Sequence, residues 1–592
     1  MAEFSVETGA SSVVFCCLAR VTPKLRGVRP SKCGRREEKT VSRHRAFADR
    51  TDLTVNRRRF LKSTLLAGAS TTLARAGEPE TTLAPAPEVT PFEFEETTIA
   101  ALQSAMQSGQ LSAKMLCEKY LERIDAIDKR GPAVNAVIEI NPDVLTIAAA
   151  GDEERKAQGP RGPLHGIPVL IKDNIGTHDR MSTTAGSLAL QGSVPAQDAF
   201  ILQRLRDAGA VILGKTNLSE WANFRSSHST SGWSGRGGLT RNPYALDRNP
   251  CGSSSGSGAA VSANLCAVAV GTETDGSIVC PSSANGIVGI KPTLGLLSRQ
   301  GIIPIAHDQD TAGPMARTVA DAATLLGVLA GVDPADSATE ASHGKAFVDY
   351  TRFLDARGLR GARIGVVRKL FSFNDAVDQL METAMDAMKH QGAVLVDPAN
   401  LDKLQELGDP ELEVLLYEFK ADLDAYLAAL GPRAPVHSLK ELIDFNERHK
   451  KEEMPYFGQD LFLKAEAKGP LTTKEYTDAL AKDRRLARTE GIDAVMDKFN
   501  LEALIAPTAG PAWTTDLVNG DHAAGGSSTP PAVADYPNIN VPLGFVFGLP
   551  VGISFFGRAW SEPTLIKLAY AFEQATRFRQ PPKFLATADL HV

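Results

Sequence analysis

The chain has 592 residues, 43% of them hydrophobic, which is enough to bury a large core, and it reads as one large domain behind an N-terminal extension. Its net charge of −6 is unevenly held: residues 1–62 carry 15 Lys+Arg against 6 Asp+Glu, a net +9, which leaves −15 for the rest. So acidic a body excludes a nucleic-acid partner, and no apolar run is long enough to span a bilayer, so no stable membrane association is expected.

Residues 1–55 read as an unused upstream start or a disordered extension. Residues 56–76 follow as a twin-arginine export signal: Asn56, Arg57–Arg59 and Phe60 lead into a mildly apolar run that ends in Ala74-Arg-Ala76. Cleavage after Ala76 and a periplasmic or secreted location in a bacterial host are the expectations; a basic disordered arm is the competing reading. Residues 77–96, rich in Pro, Glu and Thr, read as a flexible linker. From 97 onward Ile99, Leu102 and Met106, then Leu116, Tyr120, Leu121 and Ile124, recur at helical spacing, with Ser112 placed to cap the second run.

Between about 160 and 320 short runs such as Val169–Ile171, Val211–Leu213 and Val268–Val270 alternate with helical and small-residue segments. This predicts an α/β fold with a central mixed β-sheet surrounded by helices. Residues 330–500 are richer in charge and helix formers, with helices expected over 412–430 and 474–498. Strands at Leu504–Ala506 and Val551–Phe555 and a helix at Thr564–Ala575 close the chain.

Seven cysteines show no CxxC pair and accompany no zinc-spaced histidines, so neither a disulfide framework nor a metal or other cofactor is expected. Cys251, Cys266 and Cys280 read as small buried packing residues.

The chemistry concentrates in three segments. Lys172 ends the apolar run Pro168–Ile171, where burial would lower its pKa and let it act as a base. Ser253, Ser254 and Ser255 lie in a glycine-rich turn, and Ser277 follows Gly276 in a second one. Two rival motifs are set aside. Gly209 to Thr216 satisfies GxxxxGK[ST], but its middle reads as the strand itself rather than a loop after one. Gly252 to Gly256 satisfies GxSxG with Ser254 as nucleophile, but a turn, not a strand, leads into it. Asp173 and Glu220, beside the motifs, read as structural carboxylates.

The string from Lys172 through Gly252-Ser-Ser-Ser-Gly256 and Asp275-Gly-Ser-Ile278 into Asn285-Gly-Ile-Val-Gly-Ile-Lys-Pro-Thr293 resembles the amidase signature family, and within it the bacterial peptide amidases. The resemblance covers nearly all of the chain from about Thr97 to Pro581. It implies the amidase signature fold, with a variable region at 330–500 that shapes the pocket. It also implies a relay of Lys172, Ser253 and Ser277 as base, bridging serine after a cis peptide bond, and nucleophile. Backbone N–H groups of Thr274, Asp275, Gly276 and Ser277 would form the oxyanion hole. Most family members carry Asp, Gly and Arg where this chain has Glu273, Asp275 and Val279. The activity implied is hydrolysis of C-terminally amidated peptides or related carboxamides with release of ammonia. The alternative is a glutaminase subunit of a tRNA-dependent amidotransferase.

Overall fold

A computed structural model describes residues 89–432 and 434–590. The extension, the arginine pair and most of the linker lie outside the described residues. The last part of the expected linker is packed: Phe92 lies against Tyr120, and Glu96 pairs with Arg579, so ordered structure begins ahead of Thr97. The two predicted N-terminal helices form at Ile99–Gln107 and Ala113–Arg123. Ser112 caps the second by accepting a hydrogen bond from the Met115 N–H, one of the donors a helix start leaves without an internal partner.

The core is an 11-stranded mixed sheet among the described residues. Across its width run Val137–Ile140, Val211–Thr216, Pro168–Lys172, Val268–Glu273, Thr311–Ala316, Val288–Lys291, Asn538–Val546, Leu549–Phe556, Ala503–Pro507, Arg363–Val366 and Val394–Val396. Pro168–Lys172 pairs in parallel with both Val211–Thr216 and Val268–Glu273, and beyond these the central pairings are antiparallel. All residues of these three strands are buried, which explains why they read as unbroken apolar runs rather than alternating ones. Helices cover the sheet. Asp375–His390, for example, is capped by Asn374 and turns Val377, Met381, Ala384, Met385 and Met388 inward.

The 330–500 region does carry the long helices expected, at Gly408–Ala429 and Lys474–Arg484, the second continuing through a wide turn into Asp493–Phe499. No helix among the described residues is long and apolar enough to cross a membrane.

The cysteine expectation needs correction. Cys251 and Cys280 form a disulfide, buried beside Ala284, Ala509 and Ala512, whereas Cys117 and Cys266 are free and buried. The partners are 29 residues apart with no telling spacing. They meet because the turn before Ser253 and the helix after Ser277 pack together.

Candidate active site

Lys172 is the last residue of its strand and is fully buried, and loss of hydration lowers its pKa to about 7. Its Nζ lies 2.8 Å from Ser253 Oγ, 2.8 Å from Thr272 Oγ1 and 3.2 Å from Thr272 O. A neutral amine has two N–H donors and one lone pair. Thr272 supplies two acceptors, which leaves the lone pair for the Ser253 hydroxyl. Thr272 is thereby an orienting residue that sequence reasoning missed, although it lies inside the motif. Asn174 Nδ2 fixes it further by donating to Thr272 Oγ1 at 3.0 Å.

Ser253 sits in a turn packed too tightly for any other residue at Gly252, where a Cβ would come within 2.2 Å of Ser219 Oγ. The Gly252–Ser253 bond is cis, as the resemblance implied. The two serine turns touch directly, with Ser254 N–H donating to Ser277 O at 3.1 Å. Among the described residues the Lys172 amine is hydrogen-bonded to Ser253, and no hydrogen bond joins the Ser277 side chain to that of Ser253.

Around Ser277, Gly276 has φ +78°, and a Cβ there would lie 2.9 Å from Ser528 Oγ, so the turn requires glycine twice over. The N–H groups of Asp275, Gly276 and Ser277 donate to no protein group among the described residues. Those of Ile278 and Val279 are taken by Glu273 Oε2 at 2.6 and 2.9 Å. The departures thus have structural roles: Glu273 caps the helix Val279–Ala284, Val279 is its buried first residue, and Asp275 accepts from the Thr529 hydroxyl at 2.6 Å.

The rival motifs find other employment. Lys215 is buried in its strand and donates to Ile175 O and Thr183 Oγ1, and the Ser254 hydroxyl exchanges hydrogen bonds with the Thr272 backbone at 3.0 and 3.1 Å. Asp173 and Glu220 are structural, the first bound by Thr184 and Arg236, the second by Gly235 N–H and Arg225.

A cavity of about 170 Å³ adjoins Thr272, lined by Asn174, Thr272, Thr274, Ile303, His307 and Asp310 among others. Asp310, raised to about 6 by burial, accepts from Thr274 and from the N–H groups of Ile305 and Ala306. His307, Glu418 and Asp422 are near enough to share a metal ion. Their contacts are those of an ion pair: Asp422 at 2.9 Å from Nδ1 holds the imidazole protonated, with its pKa raised to about 9.

The family described as Amidase matches residues 115–566. A probable amidase of Arabidopsis thaliana is 45% identical over 504 residues, 84% of this chain and 93% of that one. The native peptide amidase of Stenotrophomonas maltophilia, a solved structure, is 53% identical with a TM-score of 0.80, over 83% of this chain and all of that one. A glutamyl-tRNA(Gln) amidotransferase subunit of Halorhodospira halophila is 33% identical over 496 residues, 81% of this chain and 97% of that one.

Proposed function

Because the chain belongs to the amidase family and is a C–N hydrolase, we propose that it deamidates C-terminally amidated peptides or related carboxamides, releasing ammonia through a Ser277–Ser253–Lys172 relay. The observation that carries this is the fully buried, low-pKa Lys172 amine 2.8 Å from Ser253, in a turn that touches the Ser277 turn. Ser277 Oγ attacks the amide carbonyl while its proton passes to Ser253 and the Ser253 proton passes to Lys172. The tetrahedral oxyanion is met by the N–H groups of Thr274 to Ser277. Return of the proton through Ser253 to the amide nitrogen expels ammonia and leaves an acyl ester on Ser277. Water, deprotonated by the same relay, then hydrolyses that ester.

Identity to a peptide amidase above that to the amidotransferase chain favours the amidated-peptide substrate, and the net negative charge of the body opposes binding of tRNA phosphates. The purified single chain is expected to release ammonia from amidated dipeptides without ATP, tRNA or a partner. A preference for free glutamine, stimulated by tRNA or a partner chain, would instead place it with the amidotransferases.

Export through the paired arginines is part of the same reading. The Cys251–Cys280 bond supports it, since disulfides persist in oxidising compartments. Replacing Arg57 and Arg58 by lysine is expected to leave the precursor in the cytoplasm of a bacterial host, because the signal is read by a receptor specific for the pair. Unchanged periplasmic activity after cell fractionation would show that the basic stretch is only an arm.

A further inference from the structure

We propose that Glu411 is a positioning residue, which holds the oxyanion turn in place by donating a hydrogen bond from its protonated carboxyl group to Asp275. The proposal rests on Ser277 being the nucleophile, two residues beyond Asp275.

Asp275 is 3% exposed. Its Oδ2 accepts from Thr529, and its buried Oδ1 makes no hydrogen bond among the described residues, although the Ser528 hydroxyl lies beside the carboxylate. An unsatisfied buried carboxylate oxygen is costly, so a proton is to be sought nearby. The neighbour is Glu411, 1% exposed, carried by the helix Gly408–Ala429 of the 330–500 region. Its Oε1 accepts from Gln309 Nε2 at 3.1 Å, and its carboxyl group is in hydrogen-bonding contact with that of Asp275.

Two carboxyl groups in contact and out of water cannot both be ionised; they share a proton. Burial opposes charge on Asp275, and Ser528, Thr529 and Lys291 stabilise it. Among the described residues Glu411 faces only Gln309 as a donor, and both Asp275 and Asp483 discourage its charge. Burial raises both pKa values, and because the donors gather on Asp275 the proton resides on Glu411 and is shared with the Asp275 carboxylate. A helix outside the motif thereby anchors the turn whose N–H groups face the reacting carbonyl. Loss of that proton at high pH sets two like charges against each other beside Ser277 and releases the turn.

The test is steady-state hydrolysis of an amidated dipeptide by the full chain from neutral to alkaline pH. Glu411→Leu is expected to lower kcat by about tenfold to a hundredfold, because a displaced oxyanion turn weakens binding of the transition state only. KM is expected to stay within about threefold. Glu411→Gln donates to Asp275 at every pH. It is expected to keep kcat at neutral pH within about threefold of wild type and to abolish the alkaline fall that wild type shows.

Asp483, raised to about 8 by burial, also titrates in this range, and Asp483→Asn is expected to keep the alkaline fall. The proposal is overturned if Glu411→Leu has wild-type kcat and pH profile, if wild type shows no alkaline fall, or if Asp483→Asn removes the fall and Glu411→Gln does not. Should the leucine variant fail to fold, the glutamine profile decides. Glu411 variants indistinguishable from wild type, beside an inactive Ser277→Ala, sink this inference alone. An active Ser277→Ala sinks the catalytic reading and this inference with it.

Discussion

Replacing Ser277 by alanine is expected to lower kcat by about 10⁵- to 10⁶-fold, the scale on which loss of a serine nucleophile abolishes the covalent route. The fold should survive. Ser277 makes no side-chain hydrogen bond among the described residues, and the tie from Ser254 N–H to its backbone oxygen is untouched by the change. What remains is the residual catalysis of an oxyanion hole and a binding pocket acting on water. Circular dichroism and thermal unfolding check the fold, and ammonia release checks the rate. A serine-directed phosphonate should add once to the wild-type chain and not to the variant, with the adduct mapped to Ser277. Mapping to Ser254 would restore the nucleophile-elbow motif, against the present assignment of that hydroxyl to the Thr272 backbone. Near-wild-type turnover by verified Ser277→Ala would end the serine mechanism.

Lys172→Met is expected to cost about 10³- to 10⁴-fold, near the upper range for a general base, since among the described residues no second base is hydrogen-bonded to Ser253. Methionine preserves the unbranched apolar stem but has no basic nitrogen, so the Ser253 hydroxyl loses its acceptor. Wild type should show the signature of the depressed pKa. Only the neutral amine can take the Ser253 proton, and with a pKa of about 7 it is the main form above neutrality. kcat/KM should therefore fall about tenfold per unit below pH 7, where protonation removes the base, and stay level above it until the Glu411 proton is lost at alkaline pH. An ordinary lysine at 10.5 would be protonated across this whole range and give a rising limb at alkaline pH instead. The same shift ties folding to pH: the unfolded chain binds the Lys172 proton up to about 10.5 and the folded one only to about 7, so this residue's contribution to stability rises with pH between them. Full activity in Lys172→Met, with loss on replacing a histidine, would assign the base elsewhere.

The site was legible because its parts are local. Lys172 ends a strand whose apolar run marks burial, and the turns at Ser253 and Ser277 announce themselves by glycines that geometry demands at 252 and 276. The helix capped by Ser112 and the strands of the α/β core were readable for the same reason: side-chain periodicity and turn chemistry act over a few residues.

Other features join residues that the chain keeps far apart. Along the sequence Cys251 and Cys280 read as packing residues because a free buried cysteine and a paired one have the same local surroundings; only the packing of a turn against a helix separates the cases. Thr272 looked like one more strand residue until the parallel pairing beside Lys172 put its oxygens against the amine. Glu411 lies in a region that reads only as helical and charged, and its burial against Asp275 joins residues far apart along the chain. The elements, the family resemblance and the candidate catalytic residues could therefore be read along the chain, since propensity, periodicity and turn geometry are short-range. The lysine's depressed pKa, the cystine and the shared carboxyl proton were set by the folded arrangement, because desolvation and contact between distant segments exist only once the core has closed.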